Sequence, residues 1–248
     1  MTFNKIKEKL IRARLNRALA RTVEIKYHDK IIIFSDHHKG IRDRADDFAQ
    51  CLTTYRAALE YYKNKDYTLI ILGDSEELWE NKIEDVLKTN KPILRLEAAF
   101  YKKNQYYRCY GNHDKQWKSS RKVKKYLHPL FPGLTVPESF LLTINNKKFF
   151  LTHGHQGELL SDIFSPFSKF IVKVVWRPFQ AITGKKLSSL SSDLQKVKWH
   201  DNIFYKWIEE KENLILISGH THRPIWLSET KEEQINKHVK RKPIYFNT

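Results

Sequence analysis

Apolar residues along this chain gather into short runs, and five of those runs stop at Asp, Asn or His: IIIFSDHH (Ile31–His38), LIILGDSEELWE (Leu69–Glu80), YYRCYGNHD (Tyr106–Asp114), KFFLTHGH (Lys148–His155) and LILISGHTH (Leu214–His222). Short apolar runs bounded by Gly, Asn or Asp read as buried strands. Strands are therefore predicted near Val23–Phe34, Tyr67–Leu72, Tyr106–Tyr110 and Leu214–Ser218, with a closing strand at Pro243–Asn247. Ser139–Ile144 and Lys148–Thr152 read as a hairpin turned at Asn145-Asn146, a residue type that accepts the left-handed backbone of a tight turn. Phe48, Leu52, Tyr55 and Leu59 recur at helical spacing within a helix predicted from about Arg44 to Asn64. Further helices are predicted in the acidic run after Asp74 and at about Asp201–Lys211. Between residues 156 and 200 the alternation lapses, and Phe164, Phe167, Phe170, Ile171, Val174, Val175, Trp176 and Phe179 crowd one apolar segment, read as a helical insertion over the strand ends.

Residues 1–22 read as a basic amphipathic helix, with Phe3, Ile6, Leu10, Leu15 and Leu19 interleaved among seven Lys or Arg and one acid, Glu8. Two roles fit it: packing of the apolar stripe on the domain, or adsorption to an anionic membrane face or nucleic acid. Those cations break up the apolar stretch of about 7–15 residues that a secretory signal requires, and no run of about 18 apolar residues is present to span a bilayer. The expected setting is cytoplasmic, with peripheral membrane contact as its one extension.

Composition narrows the picture further. A chain of 248 residues can bury one substantial core, so residues 23–248 are expected to form one domain carrying the insertion at about 156–200. The net charge of +17, from 45 Lys and Arg against 28 Asp and Glu, favours phosphate-bearing or anionic partners. Cys51 and Cys109 are too few for a disulfide framework and are expected to be reduced and buried.

Each of the five runs places an oxygen or imidazole donor at the carboxyl end of a strand, where open α/β sheets bind ligands. Asp36 and His38 lie two apart, so in extended backbone both face one side and can serve the same cation. Two adjacent divalent ions need a carboxylate that links them and offsets their repulsion; Asp74 is the candidate. A set mixing imidazole, carboxylate and amide oxygen suits Mn, Fe or Zn better than Ca or Mg.

The ordered motifs Asp36-His37-His38, Gly73-Asp74, Gly111-Asn112-His113-Asp114, His153-Gly154-His155 and Gly219-His220-Thr221-His222 resemble those of the calcineurin-like metallophosphoesterase superfamily over roughly residues 30 to 225. Gly-Asp alone is frequent by chance, whereas all five motifs in order, each behind a strand, are specific. The resemblance implies an α/β fold, a four-layer α/β/β/α sandwich of two mixed sheets with a helical cap before the last motif. It implies two divalent ions, one on Asp36, His38, Asp74 and His222 and the other on Asp74, Asn112, His153 and His220. It further implies hydrolysis of a phosphomonoester, phosphodiester or pyrophosphate bond by a hydroxide shared between the ions, with His113 beside the leaving group and Asp114 orienting it. His37 and His155 match no ligand position and are expected behind the ligands or at the surface. Lys39, Arg42 and Arg44, just past the first motif, are candidates to hold substrate phosphate; a solvated basic loop is the plainer reading.

Substrate identity stays open. The insertion and Gly73–Trp79, GDSEELW, are similar to the UDP-diacylglucosamine pyrophosphohydrolases, which implies a lipid-linked nucleotide cleaved at the membrane surface. His113 departs from that pattern, which has Arg there, and matches general phosphomonoesterases and phosphodiesterases. The basic stretch Lys115–Lys125 is also compatible with a nuclease tracking a phosphate backbone. A metal-binding scaffold without catalysis is the alternative from a different class.

Overall fold

Strands and helices alternate much as the pattern predicts, and the strands divide between two sheets, as the resemblance implies. A computed structural model describes residues 3–25, 29–157, 194–222, 225–226 and 245–247. In chain order its elements are α1 (Phe3–Ala20), β1 (Val23–Ile25), β2 (Ile31–Phe34), α2 (Phe48–Asn64), β3 (Thr68–Leu72), α3 (Ile83–Thr89), α4 (Lys91–Lys102), β4 (Tyr106–Cys109), α5 (Ser120–Tyr126), β5 (Ser139–Ile144), β6 (Lys147–Thr152), α6 (Leu194–Glu209), β7 (Leu214–Ser218), β8 (Ile225–Trp226) and β9 (Tyr245–Asn247). Short 3₁₀ turns lie at Lys115–Lys118 and His155–Gly157. The chain forms two compact units, each with its own sheet and core.

The unit built from His28–Pro137 and Phe164–Leu187 carries the sheet β2-β3-β4. Both pairings are parallel, with Ile31 opposite Thr68 and Leu69 opposite Tyr106. β3 lies in the middle, and its continuous apolar sequence follows from that place: every residue of Thr68–Leu72 is buried. Phe48, Tyr55 and Leu59 of α2 join Val86, Ile93, Phe100, Trp117 and Phe131 in the core against this sheet.

Inside this unit lies a network of charges. The Lys39 ammonium donates to Glu97 at 2.6 Å and sits 3.6 Å from Glu76. Glu97 also accepts the hydroxyls of Tyr55, at 3.1 Å, and Tyr106, at 2.9 Å. Arg108, in β4, clamps both oxygens of Glu76, which further accepts Trp117 Nε1 at 2.8 Å and Ser75 Oγ at 3.1 Å. All four charged side chains are fully buried. Burial would raise the Glu76 carboxyl, but Arg108 and Lys39 outweigh it and hold the group down to about 2. A buried ion survives only when its partners satisfy it, so these contacts fix the loops that carry Lys39 and Glu76.

The other unit, Met1–Tyr27, Glu138–Ile163 and Ser188–Thr248, holds a mixed sheet of order β1-β5-β6-β7-β9-β8. The hairpin β5–β6 turns at Asn145 and Asn146, both at positive φ, as their residue type requires. β7 runs parallel to β6 and to β9. α1 and α6 bury Ile11, Leu15, Ala18, Ile203, Phe204, Trp207 and Ile208 with Phe150, Leu216 and Tyr245. One side of α1, with Ile11, Leu15 and Ala18, thus packs on its own unit while Ile6 and Leu10 of the expected stripe stay exposed, and the helix is fastened by Trp207 Nε1 donating to Asn16 at 3.0 Å and by Arg12 to Glu210 at 2.8 Å.

Several expectations need correction. The strand predicted over Val23–Phe34 is two strands in different sheets: β1 pairs with β5 and β2 with β3, because the polar stretch at residues 26–30 interrupts the apolar run. The acidic run after Asp74 is not helical; Lys39 and Glu76 form a parallel bridge there, and the helix waits until Ile83. The pull of Glu76 into the buried network overrides its helix preference. Cys109 is buried but Cys51, on α2, is exposed. The smaller sheet, among the described residues, is parallel throughout rather than mixed. Most of the expected insertion at 156–200 lies outside the described residues.

Replacing Glu97 by Ala would leave Lys39 and two tyrosine hydroxyls buried without their acceptor. We expect a loss of about 3–5 kcal/mol, read as a lower urea midpoint at unchanged slope.

Candidate metal centre

Because β2, β3 and β4 are parallel and paired residue for residue, the loops leaving them emerge at one edge of their sheet. Backbone bonds join the first two: Asp36 N to Gly73 O at 3.2 Å, His38 N to Asp74 O at 2.8 Å, Lys39 N to Ser75 O at 3.0 Å and Glu77 N to Lys39 O at 3.0 Å. Asp36, His38 and Asp74 all take left-handed backbone, at φ 55°, 49° and 48°. Outliers of this kind gather where function demands a conformation that the chain alone disfavours.

The side chains of these residues meet. His38 Nε2 lies 4.0 Å from Asp36 Oδ1 and 3.7 Å from Asp74 Oδ2. Both separations are too long for hydrogen bonds. They match two ligands of a common ion, which at metal–ligand distances of about 2.0–2.2 Å stand roughly 3–4 Å apart. The other ring nitrogen, Nδ1, lies 3.0 Å from Glu77 Oε2, and the same oxygen receives His113 Nδ1 at 2.6 Å. Burial would raise the Glu77 carboxyl, but His113 and His38 outweigh it and hold it at about 2. An ionised Glu77 keeps a proton on Nδ1 of each imidazole, leaving Nε2 of His38 as the donor atom between the two aspartates. The His113 ring stands edge-on to His38, centroids 4.5 Å apart, and stacks on Trp79 at 4.8 Å.

Asp74 is 1% exposed, and its Oδ1 accepts His113 N at 2.8 Å. Gly111 makes room for it: a Cβ there would sit 2.2 Å from Asp74 Oδ1 and 2.7 Å from Asp74 N. Asn112, also buried, follows in the same loop. Asp114, expected to orient His113, does something else. Its two oxygens accept Gly111 N at 2.6 Å and Ser75 N at 2.9 Å, with Arg108 at 3.5 Å. Burial, then the nearby Asp74 carboxylate, raise it to about 6 against the pull of Arg108. Asp114 therefore ties two ligand loops together, and the carboxylate on the His113 ring is Glu77. Glu77 was absent from the predicted site; its signal was a third carboxylate three residues past Asp74 in GDSEELW.

The proposed phosphate-holding residues separate. Lys39 is buried on Glu97 and Glu76, which removes it from that role. Arg42 and Arg44 are exposed, on a loop held by Asp46 accepting Arg42 N at 2.7 Å. His37 is no surface residue: its ring lies 4.1 Å from that of Tyr55 and 5.9 Å from that of Phe34. Burial, then the Lys39 ammonium, keep it well below its ordinary value and neutral.

In the larger sheet, His153 follows β6 and Gly219–His222 follows the parallel neighbour β7, joined by Gly219 N to His153 O at 2.9 Å. His153 and His220 are buried, with ring centroids 5.1 Å apart. His220 and His222 again take left-handed backbone, at φ 79° and 52°; His222 is exposed. His155 is buried beside His153, rings 5.6 Å apart. Each unit thus presents imidazole and, in the smaller sheet, carboxylate donors at the ends of parallel strands.

The family model for calcineurin-like phosphoesterases matches residues 29–224. The chain belongs to this family. No curated protein matches it. It is therefore a metal-dependent phosphoesterase, of a family that uses two divalent ions. The donor chemistry of this phosphoesterase fits such ions: Asp36, His38 and Asp74 in one unit offer carboxylate and imidazole, and His153 and His220 in the other offer imidazole.

Gly111→Ala should displace both the Asp74 carboxylate and the backbone nitrogen behind it, so the strand end that carries this ligand must shift. The expected result is a protein that still folds by circular dichroism but melts lower than wild type, and whose bound divalent metal, measured by elemental analysis, falls below half of the wild-type content.

Proposed function

We propose that the phosphoesterase hydrolyses a phosphomonoester or phosphodiester with one ion held by Asp36, His38, Asp74 and His222 and a second by Asp74, Asn112, His153 and His220, His113 serving as the proton donor. The observation that carries this reading is the placement of His38 Nε2 at 3.7 Å and 4.0 Å from two aspartate oxygens while its Nδ1 is occupied by Glu77. The family's use of two ions and a match that takes in both donor sets support joining them. Bound divalent ions acidify water and neutralise phosphoryl oxygens, and Mn is the first to test.

The protein's own groups supply the rest. With Nδ1 of His113 bound to Glu77, its Nε2 carries the proton that a departing oxygen needs, and the negative Glu77 and the face of Trp79 both favour the imidazolium. The exposed cations Arg42 and Arg44 add positive potential that draws a phosphate toward the first motif. His at position 113 favours a simple ester over the lipid-linked pyrophosphate.

Two substitutions separate binding from proton transfer. Asp74→Asn is expected to lower both Mn content and rate. His113→Ala is expected to retain Mn and to lose about 10²–10⁴ in kcat, with a larger loss for phenyl phosphate than for p-nitrophenyl phosphate, whose leaving group needs no proton. Equal losses on both substrates would remove His113 as the acid, and comparison with bis-p-nitrophenyl phosphate assigns monoester or diester preference.

A second reading concerns α1, whose outer side exposes Ile6 and Leu10, at 44% and 48%, beside the exposed Lys5, Lys9 and Arg17. Exposed apolar side chains among cations favour an anionic bilayer over nucleic acid. No helix among the described residues is long and apolar enough to cross a membrane. Ile6→Asp with Leu10→Asp should abolish co-sedimentation with phosphatidylglycerol vesicles; wild-type protein that stays in the supernatant would end this reading.

A further inference from the structure

The Gly219–His222 turn holds itself with a tight backbone bond, Thr221 N to Gly219 O at 3.0 Å, yet carries two histidines in left-handed backbone. Such a conformation persists only when its surroundings over-determine it. The surroundings here are polar and buried. Asn247 of β9 is 5% exposed, and its Nδ2 lies 3.1 Å from Gly219 O, 2.8 Å from Thr221 Oγ1 and 3.2 Å from the Tyr245 hydroxyl. The amide therefore reaches the backbone on one side of His220 and the side chain on the other. Register explains its place: β9 runs parallel to β7 with Asn247 opposite Ser218, the residue just before the turn.

Tyr245 braces the amide in turn. Its hydroxyl donates to Asp201 Oδ1 of α6 at 3.1 Å and lies 3.4 Å from Ser218 Oγ. Asp201, Ser218, Thr221 and Tyr245 are each at most 2% exposed. Filling space beside a turn needs only apolar side chains, whereas buried polar groups cost stability unless they are hydrogen-bonded, and a network so bonded holds its members in one arrangement. The neighbouring His153–His155 loop is held in the same manner, by His200 Nε2 to Gly154 O at 3.2 Å.

We infer that Asn247 is a positioning residue for metal binding: its amide, braced by Tyr245 and Asp201, locks the Gly219–His222 turn in the conformation that presents His220 and His222. This rests on the assignment of those histidines as ligands, and it assigns to the last strand a part that none of the five motifs includes.

The experiment strips the full-length protein with a chelator, titrates it with Mn²⁺ by calorimetry and records its metal-free melting temperature. Asn247→Ala, the near-isosteric Asn247→Asp and Thr221→Val are compared with wild type and with His220→Ala. Loss of a group that orients a ligand weakens metal binding about 10–100-fold, and that loss is expected in all three, with Asn247→Ala and Thr221→Val non-additive in combination. A merely structural amide would lower the melting temperature and leave the Mn²⁺ midpoint where it is, which overturns the inference. If His220→Ala weakens Mn²⁺ binding and the Asn247 and Thr221 variants do not, the inference fails and the ligand assignment stands. If His220→Ala itself leaves Mn²⁺ binding unchanged, the assignment fails and the inference with it.

Discussion

A carboxylate at the end of a central, fully buried strand is the constraint around which the smaller sheet is arranged. Asp74 is 1% exposed and its neighbour Asp114 is fully buried; burial, and after it the nearby Asp74 carboxylate, raise Asp114 to about 6. Among the described residues the buried cations Lys39 and Arg108 offset this only in part: Lys39 is taken by Glu97 and Glu76, and Arg108 by Glu76 with only a long contact to Asp114. Leaving a carboxylate so enclosed is costly by several kcal/mol unless positive charge arrives from elsewhere. A divalent cation would supply it, in keeping with the spacing of Asp36 and Asp74 around His38.

Glu76 and Glu77 show how two neighbouring residues of one type come to do different work. Successive side chains of an extended segment face opposite ways. One glutamate accordingly enters the core to meet Arg108, Trp117 and Lys39, while the next turns to the two histidines. The first sets where the loop lies, and the second sets which nitrogen of each imidazole carries the proton. Stability and chemistry are separated here by a single residue step, so a substitution at one should be felt in folding and at the other in turnover.

Much of this was legible in the sequence because strand ends announce themselves: an apolar run closed by Gly-Asp, Gly-Asn-His or Gly-His is both a local pattern and a chemical one. The hairpin at Asn145-Asn146 was equally plain, since few other residue pairs accept positive φ twice in succession. What escaped was every feature decided by distant partners. Lys39 looked like a phosphate ligand because it follows a motif, and only the position of Glu97, 58 residues on, draws it inside. Asp114 was expected to orient His113 because the family resemblance implied it, yet its carboxylate turns to Gly111 N and Ser75 N instead. The acidic run after Asp74 had helical composition, and three buried partners of Glu76 overrode it. Asn247 stands outside the five donor motifs; its place beside the Gly219–His222 turn follows from strand register, which a single sequence does not display.

Left-handed backbone recurs among the candidate ligands. Arg42 on its exposed loop adopts it as well, and so do Asp66, Asn104, Asn145, Asn146 and Asn213, short polar residues for which the conformation costs little. His38, His220 and His222 are not such residues, and with Asp36 and Asp74 they make up five of the seven candidate ligands. A ring at positive φ costs about 1–2 kcal/mol relative to the ordinary helical or extended region. Hydrogen bonds from His38 to Glu77 in one unit and from Asn247 to the turn in the other offset part of that cost, and bound ions, which favour the folded state in proportion to their affinity for it, would offset more. Under the proposed ligand assignment, the residues that strain the chain are also those through which a bound metal would stabilise it, so that stability and metal occupancy become two readings of one equilibrium.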